Sequence, residues 1–151
     1  VKKFISPATI GFFLMLSAVA NGQKDPDLKI KSEAGGYTIH HVVFNSTFVL
    51  PEVAEIYQIK RSKYESMLNV SVNHNGEAGG IPATITGTVT NLMQQQKQLK
   101  FKEIREDKAT YYLVPIRVAN EELLRFKLQV TPEGSRKTFA ISFKQTVYAD
   151  E

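Results

Sequence analysis

From residue 37 onward, apolar side chains recur at every second position, the period of a half-buried strand. The run YTIHHVVFN (37–45) predicts a first strand. Residues 67–74 predict a second, with Leu68, Val70 and Val72 on one face and Asn69, Ser71 and Asn73 on the other. Residues 83–91 predict a third, in which Ile85 and Val89 point inward. Its Thr84, Thr86, Thr88 and Thr90 form a wet face that suits the strand preference of threonine. A fourth strand runs from Leu99 through Phe101 to Arg105, followed by the charged turn Arg105-Glu106-Asp107-Lys108. Residues 110–118 predict a fifth, and residues 124–130 a sixth built on Leu124, Phe126, Leu128 and Val130. Thr131-Pro132-Glu133-Gly134 fits a type I turn. Phe139, Ile141 and Phe143 then carry a seventh strand that reaches Val147 or Tyr148.

Seven short strands separated by turn signals predict an all-β, mainly antiparallel, immunoglobulin-like sandwich. A closed barrel is the competing architecture. The inward positions give an expected core of Leu68, Val70, Val72, Ile85, Val89, Phe101, Val114, Leu124, Phe126, Leu128, Val130, Phe139, Ile141 and Phe143. The fifth strand is unusual because both of its faces are apolar, Tyr112/Val114/Ile116 and Tyr111/Leu113. It also contains Pro115, which lacks a ladder donor and predicts an edge or bulged strand with a covered outer face. The cover available is a short helix at 51–57 between strands one and two. Pro51 suits its first position and Glu52 complements the dipole there. Val53, Ile56 and Tyr57 would share its inner face.

The first 36 residues have a different pattern. Lys2 and Lys3 precede an apolar run at 10–20, IGFFLMLSAVA, that closes on Ala18-Val19-Ala20. This order is that of a cleavable export signal, cut after Ala20 or, as a second choice, after Gly22. The run is shorter than the roughly 20 residues that span a bilayer, so no integral membrane segment is expected after cleavage. Residues 21–36 are polar, with Lys24, Asp25, Pro26, Asp27 and Gly35-Gly36, and read as a flexible lead-in. The expected organisation is a signal peptide at 1–20, a lead-in at 21–36 and one β domain at 37–151, located in the periplasm.

Composition sharpens that picture. The chain has no cysteine, so no disulfide can brace it in an oxidising compartment and the core must hold it. Of its 19 basic residues two lie in the leader, which leaves 17 against 15 acidic ones. So even a balance argues against a nucleic-acid partner.

Motifs that carry chemistry are missing. His40 and His41 are adjacent strand residues that point to opposite faces, so they do not share a metal easily, though one of them could meet His74 across a sheet. No G-x-S-x-G occurs, and no serine is marked by a base. The carboxylate pairs Glu52/Glu55 and Glu121-Glu122 read as solvated charge. Gly76, Gly79 and Gly80 join two strands and open no helix, so they form no phosphate cradle. Asn45-Ser46-Thr47 and Asn69-Val70-Ser71 match a glycosylation acceptor, and the first reads more simply as a turn closing strand one. No catalytic residue, cofactor or metal ligand can be named.

The segment that stands out is the connection at 44–65, about twenty residues in a domain whose other links are short. It carries Tyr57 and Tyr64 beside Lys60, Arg61 and Lys63. Tyrosine and arginine are enriched at interface hot spots, and a basic cluster steers acidic partners. These five residues are the expected interaction surface, for another envelope protein or an anionic envelope polymer. The bland alternative is a capping helix followed by a solvated turn.

Several stretches resemble a family of small exported bacterial proteins known only as a domain of unknown function. They are FNSTFVLPEVAEIYQIKRSK (44–63), NVSV (69–72), TGTVTNL (86–92), FKEIRE (101–106), ANEELLRFKLQVTPEG (119–134) and FKQTVY (143–148). The resemblance implies a periplasmic, single-domain β protein and brings no activity or site residue with it. A non-catalytic binding module of the cell envelope is the leading expectation. An envelope-directed hydrolase with a dispersed site and a weak metal carrier are the alternatives.

Overall fold

The computed structural model describes residues 30–150. The expected leader and the first part of the lead-in lie outside them. Among the described residues, nine antiparallel strands form two sheets. In chain order the strands are β1 (Lys31–Ala34), β2 (Tyr37–Asn45), β3 (Glu65–His74), β4 (Ala83–Thr90), β5 (Gln96–Leu99), β6 (Lys102–Glu106), β7 (Ala109–Arg117), β8 (Glu121–Pro132) and β9 (Phe139–Tyr148). A single 3-10 turn (Ser46–Phe48) and helix α1 (Pro51–Tyr57) lie between β2 and β3. One sheet has the order β1-β2-β3-β7-β6 and the other β5-β4-β8-β9. The expected sandwich is present, with nine strands where seven were expected. The split is five and four, against four and three in a constant-type immunoglobulin domain.

The two extra strands have separate origins. β1 lies within the stretch expected to be a lead-in. It has no apolar alternation, and only Ser32 is buried, its hydroxyl 3.1 Å from His41 Nε2. Pairing with β2 and the left-handed Gly35-Gly36 turn hold it. The expected fourth strand is really two, since β5 pairs β4 in one sheet and β6 pairs β7 in the other. The chain changes sheet at Lys100 and Phe101.

The core between the sheets holds all fourteen expected residues, with Ile85, Phe101 and Phe139 only partly buried. Phe126 stacks on Phe143 at 4.7 Å between ring centroids, and Phe143 stacks on the buried His41 at 3.8 Å. Gly87 is on this inner face, opposite Leu128. A Cβ there would stand 2.6 Å from Leu128 Cδ2 and from the Lys127 carbonyl, so the bare glycine makes room for Leu128.

The edge placement expected for the fifth strand is corrected. β7 is an inner strand between β3 and β6. Backbone groups of successive strand residues point to opposite neighbours. Val118 N–H donates to Tyr64 C=O on the β3 side, so Pro115, three residues earlier, faces the β6 side. There β6 has already ended, at the Lys102–Leu113 pair. The proline removes no ladder bond. Its strand is covered on the outer face, as expected, by a second apolar cluster. There Val53 and Ala54 of α1 pack with Phe44, Val49, Met67, Ile104, Tyr111 and Leu113. Within α1, Ala54 takes the inner place expected for Ile56, which is exposed. Among the described residues no helix is long and apolar enough to cross a membrane.

Candidate binding surface

The connection between β2 and β3 is long but pinned at its base. Asn45 closes β2. Its Oδ1 accepts from the Thr47 backbone N–H at 3.0 Å and lies 2.8 Å from the Thr47 hydroxyl oxygen. Its Nδ2 donates to the Lys63 carbonyl at 3.1 Å. The Ser46 hydroxyl donates to the Ser62 carbonyl and accepts the Ser62 N–H, at 3.0 and 2.9 Å. The Asn45-Ser46-Thr47 run is therefore a turn, and it clasps the returning chain at Ser62 and Lys63. Asp150 joins the same knot, accepting from the Thr47 hydroxyl while its own N–H donates to the Lys63 carbonyl.

Four of the five expected surface residues lie together on this clasp and are exposed: Lys60, Arg61, Lys63 and Tyr64. Arg61 Nη2 donates to the Thr47 carbonyl at 3.0 Å, which fixes its stem. Lys63 Nζ sits 5.0 Å above the Tyr64 ring, in cation–π range. Tyr57 is placed differently. Its ring packs against the second apolar cluster and its hydroxyl donates to Glu106 Oε1 at 3.0 Å. Burial first, then the bonded and charged Glu106, push the phenol up to about 12. Burial likewise raises the Glu106 carboxyl, against the opposing pull of the Tyr57 bond. Lys102 Nζ closes this corner on the Tyr57 carbonyl at 2.7 Å.

The connection exposes more apolar surface than the sequence suggested. The exposed large hydrophobic side chains among the described residues are Phe48, Leu50, Ile56, Tyr64, Leu92, Met93 and Tyr148. The first four belong to the β2–β3 connection and the last to the end of β9, which Ala149 and Asp150 tie to Asn120 and Lys63. Leu92 and Met93 cap the β4–β5 turn. Asn91 Oδ1 accepts there from the Met93 and Gln95 N–H groups, both at 3.0 Å, and Gln94 takes the left-handed conformation. That turn pushes Met93 out until it is 77% exposed. A cleft of about 460 Å³ opens between this turn and the end of β7, with Gln95, Lys97, Arg117 and Glu122 among its walls. Its lining comes from separate segments of the chain, so no local pattern announced it.

The histidines are kept apart. His41 is in the core, and His40 faces the opposite side of β2, half-buried. Burial and then the charge of Lys31 lower its pKa. His74 lies four residues along β3 from Val70, the partner of His41, with its ring 5.0 Å from that of Tyr37. Among the described residues no three His, Cys, Asp or Glu side chains converge as metal ligands.

Known structures share this architecture. A crystal structure of a DUF4426 family protein from Pseudomonas aeruginosa is 29% identical, with a TM-score of 0.71 over 80% of this chain and 95% of that one. FetP of uropathogenic Escherichia coli, recombinantly expressed in the periplasm, is 13% identical with a TM-score of 0.57 over 80% of this chain and 94% of its own. A copper-bound variant of FetP is 12% identical with a TM-score of 0.56, covering 78% of this chain and 93% of that one. At that identity the FetP likeness is one of fold. No curated protein matches the sequence. The family model matches residues 31–150, and the chain belongs to DUF4426, a domain of unknown function.

Proposed function

We propose that this protein is a non-catalytic binding module of the cell envelope, working in the periplasm, that docks another envelope component through the β2–β3 connection described above. The observation that carries this reading is that Phe48, Leu50, Ile56 and Tyr64 are all exposed in the same connection as Lys60, Arg61 and Lys63. Apolar groups scattered singly over a surface need no explanation, whereas several in neighbouring segments mark an interaction site. The clasp at Asn45 and Ser46 holds the connection in one shape and lowers the entropy cost of binding. The basic cluster favours an acidic protein surface or an anionic envelope polymer. A periplasmic address is supported by the leader-like first twenty residues and by the periplasmic expression of FetP. N-terminal sequencing of the native protein should begin at or near Asn21, and recovery of intact chain from the inner membrane would contradict it.

A hydrolase would combine a cleft with a carboxylate of raised pKa. Here the raised carboxylate, Glu106, lies beneath α1 on Tyr57 and outside the cleft lining. The test is the triple change Lys60→Glu, Arg61→Glu and Lys63→Glu in tagged protein used to capture periplasmic components for mass spectrometry. The fold should survive, because exposed charges shift stability by under about 0.5 kcal/mol each. Captured partners should be lost. A normally melting variant that retains every partner at unchanged salt sensitivity would overturn the reading.

A further inference from the structure

β7 is paired along one side and only partly along the other. β6 accompanies it from the Glu106–Ala109 pair to the Lys102–Leu113 pair and stops there. Beyond that point β7 runs on through Val114, Pro115, Ile116 and Arg117 against β3 alone. The strand that would have continued beside it is missing because the chain spends residues 96–99 in the other sheet, as β5 on β4. Since the Val118 N–H turns towards β3, the N–H and C=O of Arg117 and the C=O of Pro115 turn towards the unpaired side. They face the cleft of about 460 Å³, whose far wall is β5. Leu99, Ile116 and Leu124 line the cleft as well, so the core itself shows through.

We propose that this cleft binds an extended peptide segment of about four residues, which adds as a short antiparallel strand to the open end of β7. This site goes beyond the docking surface and stands without it. A strand of four residues spans about 13 Å, and the volume is that of an ordinary ligand site. One peptide residue exchanges both backbone bonds with Arg117, and another donates its N–H to the Pro115 carbonyl. Strand addition of this kind takes its affinity from the backbone and its specificity from alternate side chains. The alternate side chains that enter the cleft meet Leu99, Ile116 and Leu124, so they are apolar. The walls carry both signs, Lys97 and Arg117 with Glu65 and Glu122, so the peptide has no strong net charge. A hydrocarbon ligand fits less well, because it would bury the Arg117 N–H and the Pro115 carbonyl without partners. Pro115 also explains how the open end stays soluble. It leaves an acceptor facing outward where another residue would add a donor, a known way of blunting an exposed edge.

The test begins with amide hydrogen exchange, followed by NMR on the full chain. In the free protein the Arg117 amide should exchange fast and the neighbouring Val118 amide slowly. The probe is a pooled library of capped hexapeptides alternating Val or Leu with Ser, Thr or Asn. Peptides recovered on the protein should protect the Arg117 amide at saturation. N-methylation of the peptide residue that pairs with Arg117 should cost at least about tenfold in affinity, the scale of one lost hydrogen bond. Arg117→Pro should abolish binding, while Arg117→Thr, which keeps the N–H, should retain it. The proposal is overturned if the Arg117 amide is already protected in the free protein, if the library yields no binder, or if Arg117→Thr loses as much as Arg117→Pro. Should Arg117→Pro fail to fold, the N-methyl peptide and the exchange data decide alone.

Discussion

Phe126 is where the sandwich should be most sensitive to a single cut. It sits mid-strand in β8 and is 1% exposed, between Val89 of β4 and Phe143 of β9. Phe126→Ala loses the transfer energy of the ring and leaves a cavity, together about 3–5 kcal/mol in well-packed cores. Two features place this site at the upper end of that range. The stack on Phe143 is worth about 0.5–1.5 kcal/mol beyond area. Phe143 is itself stacked on His41, which restrains it from moving in to fill the hole. A loss of about 4–5 kcal/mol is a large share of the 5–15 kcal/mol typical of a domain. Phe126→Leu keeps most of the volume and gives up the stack, so it should cost about 1–2 kcal/mol. Urea melts followed by circular dichroism would read both variants from the midpoint at constant slope. A loss below about 1 kcal/mol for Phe126→Ala, or equal losses for the two variants, would refute the stacked-core argument.

Gly87→Ala should destabilise by about 1–3 kcal/mol in calorimetry, because the added methyl collides with Leu128 and the Lys127 carbonyl. An unchanged melting temperature would mean that β4 and β8 are further apart than described. Gln58 ends α1 at φ 56°, in the left-handed region, with its N–H on the Ala54 and Glu55 carbonyls. Gln58→Gly relieves that conformation and should raise stability by roughly 0.5 kcal/mol after the glycine's own entropy cost. Glu106 has a carboxyl raised chiefly by burial. The folded state therefore holds its proton more tightly than the unfolded chain does. Its contribution is present below the unfolded carboxylate range and is lost as pH rises through the raised value. Glu106→Gln removes that loss, so the variant should gain on the wild type as pH rises through and above the ordinary carboxylate range, measured by urea melts at each pH. A pH-independent difference would refute the assignment.

How much of the fold could be read in advance depends on what alternation can carry. The core positions were legible because nearly all of them recur at every second residue of a strand, whether the opposite face is wet, as in β8, or covered, as in β3 and β7. β1 was not, because a strand of Lys, Ser, Glu and Ala shows no apolar period. Its only buried side chain, Ser32, is bonded to a histidine that sequence cannot place. The division of β5 from β6 was hidden for a different reason. Leu99 and Phe101 point to the inter-sheet core, while Ile104 belongs to the outer cluster under α1. The phase of the pattern slips as the chain changes sheet, and a slip of one residue looks like ordinary irregularity. Pro115 was expected to mark an edge or bulged strand, and it stands instead in an inner strand, at a point with a free side. The free side comes from β6 ending early, which a pattern within β7 cannot reveal.

The binding surface shows the same limit at the level of side chains. On a helix with about 100° per residue, Val53 and Tyr57 lie about 40° apart. Ala54 and Ile56 then flank them at nearly equal angles on opposite sides. Periodicity alone cannot choose between them, and hydrophobicity favours Ile56. The structure chooses Ala54, the side on which α1 meets Met67, Tyr111 and Leu113. Tyr57 accordingly goes in, onto Glu106, and Ile56 stays out. The exchange changes the character of the connection. A surface expected to pair two tyrosines with three cations keeps one of those tyrosines and gains the exposed Phe48, Leu50 and Ile56 of the same connection. Under the docking reading proposed above, Ile56 would be covered by the docked component, and Lys60, Arg61 and Lys63 of the same connection would set the charge of that component.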